Sequence, residues 1–161
     1  LWRYKIGDTV KFESINPYKI VISGRTKHFI NAFGEEVMVS NTDLAIKQAC
    51  EKTNSKINDY TAAPKFLNNS SGCHEWIIDF EITPKNKDNF AKILDEELRN
   101  INSDYDAKRY KNILLKKPII HFCENNFFYT WLKKNQKIGG QNKVPRLSNN
   151  RKKIEELLKF L

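Results

Sequence analysis

No apolar run in the chain approaches the roughly 20 residues that a membrane-spanning helix needs, so no such helix is expected. The first ten residues, LWRYKIGDTV, carry charge and a turn where a secretory leader would have an uninterrupted apolar stretch. Cysteine is scarce and odd in number: Cys50, Cys73 and Cys123 show no paired spacing, which argues against a disulfide framework and for free thiols in a reducing cytoplasm. No glycine-rich loop precedes a helix, so a phosphate cradle of that kind is missing. Nor does any Ser/His/Asp spacing or paired-carboxylate motif stand out; Glu35 and Glu36 sit at a turn edge and read as solvated surface. There is no internal repeat, no low-complexity tract and no initiating methionine, and the chain reads as a piece of something longer.

What is present suits one domain, or one domain with a short appendage: 161 residues, 40% apolar and 12% aromatic, enough to build a core. The net charge of +9 is unevenly spread. Residues 1–107 hold 14 basic and 16 acidic side chains, a net of −2, whereas residues 108–161 hold 14 basic and 3 acidic, a net of +11. A basic tail on a nearly neutral body points to an anionic partner: nucleic acid, an acidic protein surface or a phosphate-bearing ligand.

Periodicity predicts alternating strands and helices. DTVKFESI and PYKIVISG read as strands around the Asn16-Pro17 turn, and HFINAF and EEVMVS as a second pair around Gly34. NTDLAIKQACEKTN reads as a helix capped by Asn41 or Thr42, with an apolar face at Leu44, Ala45, Gln48 and Ala49. INDYTAAPKFL and HEWIIDFEIT form an antiparallel pair; in the second, Trp76, Ile78, Phe80 and Ile82 alternate with Ile77, Asp79 and Glu81, the pattern of a strand with one wet face. NKDNFAKILDEELRNIN is the clearest helix, its stripe running through Phe90, Ile93, Leu94, Leu98 and Ile101. A shorter helix capped by Ser103, the strand KPIIHFC, the helix ENNFFYTWLKKN, a basic turn-rich segment and a last amphipathic helix, RKKIEELLKFL, complete the chain. The expected class is α+β: a small mixed β-sheet with helices packed mainly on one face, plus an N-terminal β-hairpin.

Three local patterns bear on chemistry. Cys73-His74 and His121-x-Cys123 offer four zinc-ligating side chains, but neighbours on a strand face opposite ways, so no metal site is expected. Gly24 and Gly34, within VISGRTKHFINAFGEEV, mark either two hairpin turns or a hinge followed by a loop that swings over a ligand. In KIGGQNKVPRLSNNR, two glycines lead to Lys143, and Pro145 restricts the chain just past it. A lysine on such a loop suits phosphoryl or adenylyl transfer, where a point positive charge meets an oxygen that is gaining negative charge.

Read in order, YKIGDTV, SGRTKHFINAFGEEV and NKVPR resemble the acyl-adenylate-forming enzymes. Together with INDYTAAPKF, GCHEWIIDFE, NSDYDAKR and GGQNKVPRLSN, they are most similar to the acyl-acid amido synthetases of the plant auxin-responsive Gretchen-Hagen family and their bacterial relatives, over essentially the whole chain. The resemblance implies a C-terminal domain fragment, with residues 1–26 the last strands of a large N-terminal adenylating domain and residues 27–161 a mobile lid. It implies Asp8 on the ribose hydroxyls of ATP, Arg25 on ribose or phosphate, Tyr4 and Arg146 as further nucleotide contacts, Lys27 as hinge, Gly34 in the mobile loop, and Lys143 as the catalytic lysine. ATP and Mg²⁺, a carboxylic acid and an amino acid would be used by the full-length enzyme; the fragment alone would be inactive. The basic tail then meets triphosphate or the other domain, without nucleic acid. Two rival readings are a nucleic-acid-binding module stacking bases on Tyr110, Phe127, Phe128 and Trp131, and an interaction domain without catalysis.

Overall fold

A computed structural model describes residues 7–25, 28–68, 70–136, 139 and 143–161. Strands β1 (Asp8–Ile15) and β2 (Tyr18–Arg25) pair antiparallel around the Asn16-Pro17 turn, as expected. Two-residue strands β3 (Phe29–Ile30) and β4 (Val37–Met38) pair around Gly34 and lead straight into helix α1 (Val39–Thr53). The helix starts earlier than the sequence suggests, because the Asn41 side chain reaches back to accept the Met38 N–H at 2.9 Å. Its buried face is Thr42, Ala45, Ile46 and Ala49, while Leu44, expected inside, is exposed.

Strands β5 (Lys56–Phe66) and β6 (Gly72–Ile82) pair antiparallel, with Ala62 opposite Trp76. Strand β7 (Ile119–Cys123) adds parallel to β6, so the three-stranded sheet is mixed. Between them run α2 (Lys87–Ile101) and α3 (Ser103–Arg109). The cap of α3 is Asn102, whose side chain accepts the Tyr105 N–H, in place of Ser103. Helices α4 (Phe127–Lys134) and α5 (Lys152–Leu158) close the chain.

The α+β class and the N-terminal hairpin are as read from sequence. The longest helices, α1 and α2, share one face of the sheet with α3, where Tyr60, Trp76, Ile78 and Phe80 meet Ala45, Phe90, Leu94 and Tyr105. The wet face expected of β6 is not wet. Ile77 packs with Phe128, Trp131, Ile154 and Leu157 of α4 and α5 in a second, smaller core. Glu75 and Asp79 on that side are buried because partners arrive from far along the chain. The Phe128 N–H points at Asp79 Oδ2, setting a carboxylate against the positive end of α4. Glu75 accepts from Lys65 (2.7 Å), His121 (3.1 Å) and Arg151 (2.6 Å). A buried carboxylate is costly unless its lone pairs are filled, and here three donors fill them.

The hairpin β1–β2 is built the other way round. Its register sets Val10, Phe12 and Ile15 opposite Ile22, Ile20 and Tyr18, and a bulge after Phe12 keeps all six on one face. Each of the six is 52–78% exposed.

Candidate active-site surface

The segment from Lys143 onward lies along the free edge of β5. Pro145 O accepts the Thr61 hydroxyl at 2.7 Å, Arg146 O accepts the Ala62 N–H at 2.8 Å, and the Ser148 N–H returns to Ala62 O at 3.2 Å. Leu147 bridges to Ala62 and is fully buried, while Val144 packs against the second core. Lys143 itself stands exposed at the start of this strip. Thus a cation is held out to solvent on backbone fastened directly behind it.

The Arg146 side chain turns across to α1. Its NH1 sits 3.0 and 2.8 Å from the two Asp43 oxygens, its Nε 3.3 Å from Asp59 Oδ1, and its guanidinium lies 5.4 Å from the centre of the Tyr60 ring. The Tyr60 hydroxyl donates to Asp43 Oδ1 at 2.6 Å and touches the Thr42 hydroxyl at 2.6 Å. Burial pushes the Tyr60 phenol well up, and Asp43 pushes it further. Burial opposes the charge on Arg146, yet Asp43 and Asp59 outweigh it and hold the guanidinium above its ordinary value. The cluster ends a groove of about 570 Å³ between α1 and β5, floored by Ile46, Cys50 and Ile57.

The loop carrying Gly34 is docked on the sheet. Gly34 has φ +83°, and a side chain there would press on Lys108. Glu35, read from sequence as solvated, is 0% exposed. It accepts the Phe33 N–H at 2.7 Å and lies 2.9 Å from His74 Nε2. Burial would raise the Glu35 carboxyl, but the hydrogen bond and charge of His74 and two backbone N–H groups hold it below its ordinary range. The ring of Phe33 fills the space a side chain on Gly72 would take, 2.2 Å from an ideal Cβ. The Asn31 N–H donates to Asn149 Oδ1 at 2.8 Å, so the Gly34 loop and the Lys143 strip are tied together.

Other sequence candidates fall as follows. Asp8 and Arg25 lie opposite each other at the open end of the hairpin. Tyr4 and Lys27 lie outside the described residues. The zinc-type residues do not converge: His74 faces Glu35 and Tyr105 in the larger core, whereas His121 faces Glu75 on the other side of the sheet. Phe128 and Trp131, possible stacking platforms, are buried in the second core, with Phe127 packed against it; Tyr110 is exposed. Asp43, Asp59 and Tyr60 escaped the sequence reading, because they meet Arg146 across separations of 103 and 87 residues with no local motif.

Compared with known families, residues 40–152 match the model of the GH3 family C-terminal domain. The chain belongs to the GH3 family. Two solved structures share the fold of this GH3 domain: a GH3.15 acyl acid amido synthetase, TM-score 0.76, and AtGH3.15 acyl acid amido synthetase in complex with 2,4-DB, TM-score 0.71. Each is 17% identical and covers 99% of this GH3 chain, which spans 30% of the length of either. No curated protein matches the chain.

Proposed function

We propose that this GH3 domain is the C-terminal lid of an ATP-dependent ligase that joins a carboxylic acid to an amine, that of an amino acid, through an acyl-adenylate. One observation carries the reading: in a chain of this family, Lys143 is exposed at the start of a strip fastened to the β5 edge. In the first reaction a carboxylate oxygen bonds to the α-phosphorus of ATP and pyrophosphate leaves. In the second the amine attacks the acyl carbon, loses a proton, and AMP leaves. The Lys143 ammonium would lie against the carboxylate and α-phosphate oxygens during the first step, stabilising the charge that builds there. Turning about Lys27 would withdraw it and open the path to the amine.

In this reading residues 1–26 are the last strands of the large adenylating domain and residues 27–161 the lid. The hairpin supports that division, since its exposed apolar face needs a cover and most of a related enzyme's length lies outside this chain. Asp8 and Arg25, opposite each other on the hairpin, would then hold ribose and phosphate from the same edge. No group of three or more His, Cys, Asp or Glu side chains gathers a metal site among the described residues. The Mg²⁺ that the family resemblance implies therefore belongs with the triphosphate, and the chemistry assigned to this domain does not depend on it. The free thiols of Cys50, Cys73 and Cys123 suit a cytoplasmic enzyme.

The test is pyrophosphate release by the full-length protein with ATP and a panel of carboxylic acids. Lys143→Ala should lower kcat by about 10²–10³-fold, as the loss of one charge-stabilising donor does elsewhere. Release that is indifferent to Lys143→Ala would overturn the assignment.

A further inference from the structure

We infer that Arg146 is a positioning residue for Lys143: its ion pairs to Asp43 and Asp59 set the pose of the strip that presents the lysine, and it does not itself hold the nucleotide. The inference rests on the reading of Lys143 above, and gives Arg146 a different task from the nucleotide contact that the family resemblance implies.

Geometry is the first argument. The backbone bonds from Pro145, Arg146 and Ser148 all go to β5, at Thr61 and Ala62. A strip tied to one strand along a single line can still rock about that line. Arg146 adds the missing support, because its fork reaches both oxygens of Asp43 on α1 while Nε reaches Asp59 on β5. The Tyr60 ring lies beneath the guanidinium and the Tyr60 hydroxyl orients the same Asp43 carboxylate. A planar fork held by two elements and a ring has little freedom left. Between this anchor and Lys143 lie only Val144, packed on the second core, and Pro145, whose ring narrows the backbone choices of both. The pose of the anchor is therefore passed on to the lysine.

Charge is the second argument. Arg146 shares its surroundings with two carboxylates, so the trio carries a net negative charge. A phosphate approaching the guanidinium meets Asp43 and Asp59 as well, which disfavours a triphosphate there.

The third argument is energetic. The pairs are nearly half exposed, at 44% for Arg146 and 42% and 46% for its partners. Ion pairs this wet add little to stability. What they add is direction, and direction matters where a 1 Å misplacement of a catalytic group can cost about 100-fold in rate.

Pyrophosphate release by the full-length protein tests this with Lys143→Ala, Arg146→Ala, Arg146→Lys, Asp43→Asn and the Arg146→Ala/Asp43→Asn double variant. Arg146→Ala and Asp43→Asn should each lower kcat by about 10- to 100-fold, with KM for ATP within about twofold and the melting temperature little changed. The double variant should be no worse than the worse single one, because both break one strut. Arg146→Lys, which keeps the charge and loses the fork, should recover only part of the rate. A raised KM for ATP at unchanged kcat in Arg146→Ala, absent from Asp43→Asn, would make Arg146 a direct nucleotide contact and overturn the inference. So would unchanged kinetics with a lowered melting temperature, the mark of a purely structural pair. Should Arg146→Ala fail to fold, Asp43→Asn, which keeps the arginine, decides by the same criteria. If Lys143→Ala abolishes release and the strut variants do not, this inference alone fails; if Lys143→Ala has no effect, the reading beneath it fails as well.

Discussion

The hairpin Asp8–Arg25 and the sheet β5–β7 are made of similar residues with opposite outcomes. On β6, Trp76, Ile77, Ile78 and Phe80 lie inside, covered by helices on both faces. On the hairpin, Val10, Phe12, Ile15, Tyr18, Ile20 and Ile22 form an equally apolar face with no such cover. A two-stranded ribbon is marginal by itself, so one that keeps six large apolar side chains in water is poorly explained as a finished unit. The difference teaches that a strand's own pattern states which face wants burial, and the rest of the protein decides whether burial happens.

The largest effect that sharpens the contrast lies at the middle of β6. Trp76 is fully buried and stacks on Tyr60 with ring centres 5.6 Å apart. Trp76→Ala should destabilise the chain by about 3–5 kcal/mol, measured by denaturant unfolding, because the cavity it leaves is lined on one side by a rigid sheet. Its indole N–H has no hydrogen-bond partner among the described residues. Trp76→Phe should therefore cost clearly less, since it loses volume but also removes an unpaired buried donor.

A smaller effect tests the other face of the same strand. Burial would push the Glu75 carboxyl up, but the hydrogen bonds from Lys65, Arg151 and His121 and the charge of Arg151 hold it down to about 2, from an ordinary value of 4.5. A depressed carboxylate stabilises the fold above its unfolded pKa, and that contribution is lost as pH falls through the folded value. The window is therefore roughly pH 4.5 down to 2. At about 1.4 kcal/mol per unit, the pH-dependent part is on the order of 3 kcal/mol. Glu75→Gln should be less stable than the natural chain at pH 7 and should lose less stability on acidification. Glu35, also depressed, acts in the same direction and leaves part of the acid sensitivity in place. Equal acid sensitivity in Glu75→Gln would show that the three donors do not hold the carboxylate as described.

Much of the fold was legible because it is written in local pattern. The β5–β6 pair, the stripe of α2 and the hairpin around Asn16-Pro17 follow from periodicity and turn residues. What was not legible depends on distant partners. Glu75 and Asp79 look like a wet face until Arg151 and the α4 N-terminus are brought to them. Glu35 looks like turn surface until His74, 39 residues on, is placed opposite. Of the candidate site, Lys143 could be picked out by its loop and its resemblance to known motifs. Its supports could not, since Asp43, Asp59 and Tyr60 are ordinary helix and strand residues until the chain returns over 80 residues later.

The smallest expected effect returns to the hairpin and tests the comparison itself. In the 161-residue chain, Phe12→Ser, Ile20→Ser and Ile22→Ser should each shift stability by no more than about 0.5 kcal/mol, as surface changes do. The same substitutions in the full-length protein should cost more, on the order of 1 kcal/mol or above for each side chain that a second domain covers. It is the sign of that difference, measured by denaturant unfolding of both forms, that matters. If the short chain is itself strongly destabilised, the apolar face is already covered there, by a second copy for instance, and concentration-dependent melting would reveal it. If neither form responds, nothing covers the face in the full protein, and the hairpin loses its standing as the last strands of a larger domain.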